Sequence, residues 1–335
     1  MTLEELTSFL TALGLPPFRA RQVWQWLQQK GVITFDAMTN LSKDLRDKLA
    51  DACCIAGCEI EKRSASALDP TVKFLFRLHD GELIESVLMK YKYGYSLCVS
   101  TQVGCRMNCA FCATGQGGLI RSLSAGEILG QIHAAQRSEN IRVSHVVLMG
   151  MGEPFDNYDN VLRFLKLVNE EDGLHIGMRN ISLSTCGVVP GIERLEQENL
   201  QLTLSVSLHA PNDQIRSTLM PINRRYPIAE LMRACRHYAD ATSRRISYEY
   251  AMFSGVNDSD ECAAELAALL KGTLSHINLI PANDVTESGL RSSSPERIRA
   301  FAELLQREGR NVTVRRSLGG DIDASCGQLR SKHIR

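Results

Sequence analysis

The sequence predicts an α/β protein built on a parallel sheet that curves toward a barrel. Three observations carry that expectation. From about residue 124 onward, apolar β-branched segments alternate with amphipathic helical segments, the pattern of successive βα units. Glycine-rich or polar residues directly follow several of the apolar segments, which is where an α/β barrel presents its chemistry. Three cysteines, Cys105, Cys109 and Cys112, crowd one glycine-rich loop just after a predicted strand.

Taken in order, residues 1 to about 60 read as helical. Leu3, Leu6, Phe9 and Leu10 share one face, and Phe18, Val23, Trp24, Trp26 and Leu27 follow a Pro-Pro helix start. This segment, bounded at 1–62, is a small accessory domain whose Arg19, Arg21, Gln22 and Lys30 could touch nucleic acid. The same pattern also fits any amphipathic helix with a solvated outer face. A β extension is expected over 63–97, with strands at 72–78, 83–91 and 95–100 rich in β-branched and aromatic residues. The barrel is placed at 98–316, and a terminal loop at 317–335. Within the barrel, Ser124 and Glu127 form a capping-box pattern for a helix over 124–136, and the apolar run 143–149 is a buried strand. Further strands are expected at 181–185, 202–208, 246–253, 277–281 and 312–315, with helices at 156–169, 228–242, 259–271 and 295–308.

Composition narrows the function classes. At 335 residues and 44% apolar content the chain can bury a full core, and no run approaches the roughly 18 apolar residues of a membrane helix. Lys plus Arg and Asp plus Glu both count 38, so net charge gives no sign of a nucleic-acid partner. Basic clusters at Lys62 with Arg63, Arg224 with Arg225, Arg244 with Arg245, Arg315 with Arg316, and in the tail at Arg330, Lys332 and Arg335 are local candidates for phosphate. The start Met-Thr-Leu-Glu-Glu-Leu has no signal-peptide pattern and the cysteines number 11, so a reducing, cytoplasmic setting is expected.

The cysteine loop is the strongest chemical signal. Structural zinc takes four protein ligands, and a four-iron, four-sulfur cube is ordinarily held by four thiolates. Three thiols at Cys-x3-Cys-x2-Cys spacing leave one coordination position open. With Phe111 before the last cysteine, the loop resembles that of radical S-adenosylmethionine (SAM) enzymes, in which SAM occupies the open position. A three-cysteine zinc site completed by a distant histidine, or unligated thiols, stay open on the spacing alone. Gly152, Glu153 and Pro154 follow a buried strand, where the glycine lets a ligand approach the backbone and Glu153 can accept hydrogen bonds from an ammonium group. Ser184, Ser207, His209 and Asn283 offer polar groups at other strand ends, though each would pass as an ordinary loop residue. Cys98 reads as a strand thiol and Cys326 as an accessible one in a glycine-flanked loop. Cys186, Cys235 and Cys262 read as packing residues, and Cys53, Cys54 and Cys58 as core filling before a second metal site.

Several short motifs in fixed order add a resemblance. The three cysteines with Ala113, Thr114 and Gly115, the Met151 to Pro154 and Met220 to Asn223 motifs, Gly255 to Asp258, and Asp321 to Leu329 together resemble the RlmN/Cfr family of adenosine methyltransferases, the RlmN branch more closely. The similarity runs from Phe18 to Cys326. It implies a radical SAM partial (β/α)6 barrel and a [4Fe-4S] cluster on Cys105, Cys109 and Cys112. It implies two SAM per turnover, with SAM contacts at Gly152, Glu153, Ser184, Ser207, Leu208, His209 and Asn283. The implied reaction is methylation of carbon 2 of an adenosine in 23S rRNA and, in some members, in tRNA. Carbon 2 is electron-poor and SAM is an electrophile, so a polar transfer between them lacks a nucleophile. The resemblance supplies the alternative: Cys326 takes a methyl group from one SAM, a radical from a second SAM activates it, and the resulting carbon radical adds to adenine. Cys98 matches the resolving cysteine, which releases product through a transient disulfide with Cys326, and Glu85 matches the proposed proton acceptor. A one-electron reductant such as flavodoxin or ferredoxin, a monomeric state and no membrane are also implied. Ala282 and Ser325 depart mildly from the family pattern. Two other readings remain: Cfr-type methylation of carbon 8, and a non-catalytic zinc-stabilised RNA-binding module.

Overall fold

Local capping starts the chain. Thr2 accepts from Glu5 N while the Glu5 carboxylate takes Thr2 N, a complete capping box for helix α1, Leu3–Ala12. Helices α2, Phe18–Gln28, and α3, Lys43–Ala52, complete a helical segment. Its core is Leu6, Leu10, Val23, Trp24, Met38 and Leu49. Each such side chain contributes roughly 1.5–3 kcal/mol by leaving water, and all belong to the hydrophobic core that continues into the rest of the chain. The computed structural model describes residues 1–282 and 289–329. Asn283 and the basic tail residues Arg330, Lys332 and Arg335 lie outside the described residues.

Among the described residues, ten strands then form one sheet. The antiparallel part is β1, Glu59–Ala65, β2, Thr71–Arg77, β3, Leu83–Tyr91, and β4, Gly94–Cys98. From β4 the pairing is parallel through β7, Val143–Leu148, β8, Ile181–Thr185, β9, Thr203–Ser207, β10, Ile246–Met252, β11, Ser275–Pro281, and β12, Val312–Val314. A separate pair, β5, Gln102–Gly104, and β6, Leu119–Ser122, brackets the cysteine loop and the short helix α4, Ala113–Gln116. Helices α5, Ala125–Glu139, α6, Tyr158–Asn169, α7, Val189–Gln197, α8, Asp213–Leu219, α9, Ile228–Thr242, α10, Asp260–Leu269, and α11, Pro295–Arg307, fill the crossovers. β3 and β11 stand far apart in strand order, yet Val87 and Met89 line the same cavity as Ile280 and Pro281. The sheet is therefore curled into a partial barrel, as expected. Among the described residues, no helix is long and apolar enough to cross a membrane.

The structure differs from the sequence reading in places with physical causes. β1 is missed because almost every residue in it is exposed, which erases the alternation that marks a strand. The boundary placed at residue 62 consequently falls inside β1, after the helical segment has ended with α3. α7 and α8 are missed because they are only 9 and 7 residues long, too short for a clear period. Phe18 is 58% exposed, with the Arg19 guanidinium 4.9 Å from its ring centre. Cys58 fills the core, but Cys54 is exposed.

One buried side chain joins helix to sheet behind the site. Gln131 of α5 is fully buried; its Oε1 accepts from Ser86 Oγ at 2.5 Å and Ser100 N at 2.8 Å, and its Nε2 donates to Ser100 O at 2.9 Å. Ser100 Oγ in turn donates to Glu85 O at 2.6 Å. Replacing the amide leaves buried backbone and hydroxyl groups without partners, at about 1–3 kcal/mol each. Gln131→Leu is expected to lower stability by about 3 kcal/mol, read as a lower denaturation midpoint at an unchanged slope; an unchanged midpoint contradicts it.

Candidate active site

The cysteine loop leaves β5 through Gly104, whose φ of 77° and contact with Gly118 O, 2.0 Å from where a Cβ would stand, leave no room for a side chain. Cys105 N donates to Gly118 O at 2.8 Å and Ala110 N to Leu219 O at 2.9 Å, so the loop is fixed to β6 and to the end of α8. Cys105, Cys109 and Cys112 line one cavity with Gly152, Glu153, Ser184, Ser207 and His209 at the parallel strand ends. Cys326 and Gly327 of the terminal loop close it. The sequence-predicted residues at strand ends are thus brought together, with Asn283 outside the described residues.

Leu208 differs. Its side chain is fully buried in the core and does not line the cavity. Its N donates to Glu249 O at 3.1 Å and its O accepts from Arg216 at 3.2 Å, so its backbone is already engaged.

The Glu153 carboxylate is 3% exposed and accepts from Phe155 N at 3.1 Å and Cys186 N at 2.8 Å. Burial raises its pKa, and these N–H bonds work against that rise. Gly152, at φ 104°, could not carry a Cβ without meeting Gln102 N at 2.8 Å. His209 Nδ1 accepts from Ala251 N at 2.9 Å, and burial lowers its pKa to about 3. The ring is therefore neutral with its proton on Nε2, a hydrogen-bond donor packed edge-on to Phe111 at 4.7 Å.

Cys326 is exposed and also lines a second cavity, shared with Cys98, Val87, Met89, Arg315 and Ser325. Burial pushes the Cys98 thiol up to about 12. Glu85 lines neither cavity; its carboxylate is buried and lies 3.3 Å from Lys73 Nζ. All 11 cysteines are free thiols. The Cys98–Cys326 disulfide expected from the resemblance is therefore corrected for the resting fold: one thiol is buried in a strand and the other stands on an exposed loop across the cavity they share.

Two groups at the site escaped the sequence reading. Cys186 lines the cavity and supplies its N–H to Glu153, whereas its position had suggested packing. Arg216 is fully buried and donates to Leu208 O, Asn223 Oδ1, Cys186 O and Ser207 O at 2.7–3.2 Å. It thereby clamps the loops after β8 and β9. A lone arginine in a short helix carries no sequence signal for this.

The comparisons with known proteins agree with this geometry. The family described as "Radical SAM superfamily" matches residues 99–267, and that described as "Ribosomal RNA large subunit methyltransferase N-terminal domain" matches residues 1–55. A "Probable dual-specificity RNA methyltransferase RlmN" of Desulforamulus reducens is 54% identical over 98% of this chain and 94% of its own length. One of the same description from Pelotomaculum thermopropionicum is 54% identical over 99% and 90%. The chain belongs to the RlmN family of radical SAM methyltransferases. The crystal structure of a radical SAM methyltransferase from Sphaerobacter thermophilus superimposes with a TM-score of 0.95 at 47% identity, covering 98% of each chain. Streptococcus suis SuiB bound to S-adenosylmethionine, at 16% identity and a TM-score of 0.51 over 68% of this chain and 51% of its own, shares the fold alone. The non-catalytic zinc-module reading is overturned by these matches, and this RlmN-family chain is a radical SAM RNA methyltransferase.

Radical SAM enzymes use a [4Fe-4S] cluster and SAM, and the residues here fit that group. Three thiols open on one cavity. His209 Nδ1 is held by Ala251 N. Three thiolates on a four-iron cluster would leave one iron position open for SAM. Among the described residues, no three ligating side chains converge closely enough to hold a single ion. Burial raises the Cys105 thiol to about 12 and raises Cys109 as well, so loading must displace their protons.

Arg216→Met is expected to destabilise the protein by about 3–5 kcal/mol, because four acceptors lose a buried donor at once. Arg216→Lys, with a point charge in place of the fork, should recover only part of it. Chemical denaturation of both variants checks the order.

Proposed function

We propose that this chain methylates carbon 2 of an adenosine in 23S rRNA, and of one in tRNA, in the cytoplasm, with Cys326 as the methyl carrier. The observation that carries the reading is the position of Cys326, which lines both the cavity of the three cysteines and the cavity of Cys98. A carrier must be reached by the methyl donor on one side and by the resolving thiol on the other. The curated relatives are named dual-specificity RNA methyltransferases, which supports two RNA substrates. Their RlmN name does not favour the carbon-8 alternative.

When bound, the cluster and SAM supply the one-electron chemistry that carbon 2 of adenine requires, with electrons from a flavodoxin- or ferredoxin-like reductant. The chain's own residues do the rest. Glu153 accepts the SAM ammonium, since its carboxylate keeps lone pairs beyond those used by Phe155 N and Cys186 N. Gly152 lets the ligand approach the backbone. Ser184 and Ser207 offer hydroxyls, and His209 a fixed Nε2 donor. Cys326 as thiolate takes a methyl group. Glu85 receives the ring proton, and Cys98 attacks the Cys326 sulfur, forming a transient disulfide and freeing the product. The target adenosine must be unstacked, because a ring carbon stacked inside a duplex is inaccessible to the methyl group on Cys326.

The deciding experiment is anaerobic turnover with unmodified 23S rRNA and tRNA, followed by mass spectrometry of the nucleosides. 2-Methyladenosine is expected, and 8-methyladenosine would overturn the reading. Cys326→Ala should make no product. Cys98→Ala should accumulate RNA crosslinked to protein, and free methylated RNA from that variant would remove Cys98 from its role. Glu153→Ala should weaken SAM binding at least tenfold, since a hydrogen bond to a charged group is worth about 1.5–3 kcal/mol; equilibrium binding of labelled SAM measures it.

A further inference from the structure

Beside the site, one cation touches both a buried carboxylate and the loop of the methyl-carrying cysteine. Lys73 of β2 stands opposite Val87 of β3, and Leu75 opposite Glu85. Cross-strand partners share a face, so Lys73 and Glu85 are diagonal neighbours on the face whose Val87 and Met89 line the second cavity. A lysine chain spans that diagonal, and its Nζ lies 3.3 Å from Glu85 Oε1. The same Nζ donates to Asp323 O at 3.1 Å, three residues before Cys326. The Lys73 and Glu85 side chains are 16% and 7% exposed, so water screens the pair weakly.

The loop has further ties nearby. The Asp321 carboxylate accepts from Ser66 Oγ at 2.6 Å and Ala67 N at 2.8 Å, and Gly319 N donates to Asp69 Oδ2 at 2.8 Å. These bonds anchor the loop to the turn between β1 and β2. Lys73 extends that anchorage inward to Glu85.

We propose that Lys73 is a positioning residue: it keeps Glu85 ionised as a proton acceptor and joins that readiness to the docked Cys326 loop. The inference rests on the reading in which Glu85 takes the ring proton. A carboxylate taken out of water favours its neutral form unless a cation stands beside it. With the ammonium present, the ring proton can pass to the carboxylate, which becomes a neutral carboxyl and later returns the proton to solvent. Among the described residues, Lys73 on β2 is in ion-pair contact with Glu85 and reaches the terminal loop at Asp323, while Cys98 on β4, Arg315 beyond β12 and Cys326 on the terminal loop line the neighbouring second cavity.

The test uses full-length Lys73→Met, Lys73→Arg and Glu85→Gln. Resolution of the RNA adduct is followed against pH in a single turnover with loaded enzyme. Alkylation of Cys326 by iodoacetamide is followed separately in cluster-free protein. Removing the cation favours the neutral carboxyl, so the acid limb of resolution should move to higher pH by about one unit or more in Lys73→Met. Cys326 alkylation should also accelerate severalfold as the loop loses an anchor, and Lys73→Arg should restore both. An unmoved acid limb in Lys73→Met, with resolution lost in Glu85→Gln, overturns the inference alone. Normal resolution in Glu85→Gln overturns the proton-acceptor reading beneath it.

Discussion

The position of one loop governs this site. Residues 318–329 carry Cys326, and they are held from two sides by bonds of different origin. On the sheet side, Asp321 and Asp69 tie the loop to the β1–β2 turn. On the cysteine side, Ala113 N donates to Gly327 O at 2.8 Å and Thr114 Oγ1 to Leu329 O at 2.6 Å. Each bond contributes only about 1 kcal/mol net. Together they remove the loop's freedom where its reach matters, and an effective concentration follows from that restraint. The antiparallel extension supplies three of those five bonds, through its β1–β2 turn, which gives a physical reason for it to stand beside an otherwise parallel barrel.

The barrel holds its strand ends with buried polar side chains. Arg216 clamps the loops after β8 and β9 through four acceptors. Asn257, fully buried, donates to His209 O and Ala251 O and accepts from Phe253 N. His209 is held at φ 55° in the left-handed region, and Asn257 and the Ala251 N–H to Nδ1 over-determine that conformation. Apolar packing could not do this, since it does not orient a carbonyl or a ring nitrogen. The result is a rigid first layer around the cavity, from which a ligand finds its donors already aimed.

Much of this was legible in the sequence, for reasons that separate by distance along the chain. The cysteine loop, the glycine and glutamate after β7 and the serines at strand ends are local patterns, and the chain folds them where the βα rhythm says. Ser124 and Glu127 are a capping box in sequence and in structure. Asn257 stands in the Gly255 to Asp258 motif, but its bond to His209 O, like that of Arg216 to Cys186 O, joins segments far apart in the chain and has no local pattern. Leu208, just past the end of β9, has its side chain in the core while its neighbours Ser207 and His209 line the cavity. The Lys73 contact with Glu85 required the β2–β3 register, which no composition or period reveals.

The burial of Cys98 gives the proposed cycle an order. Burial pushes its thiol up to about 12, so it stays protonated near neutral pH. Only the thiolate attacks sulfur. A readily ionised Cys98 would be prone to oxidation with Cys326 before any methyl group arrived, and the carrier would be lost. Keeping Cys98 protonated in a dry strand while leaving Cys326 on an exposed loop separates the two thiols chemically, although they share a cavity. Resolution then has to supply what the resting fold withholds: loss of the Cys98 proton and approach of the loop. Both changes involve the second cavity, so the entry of a base into that space is the event with which release should coincide.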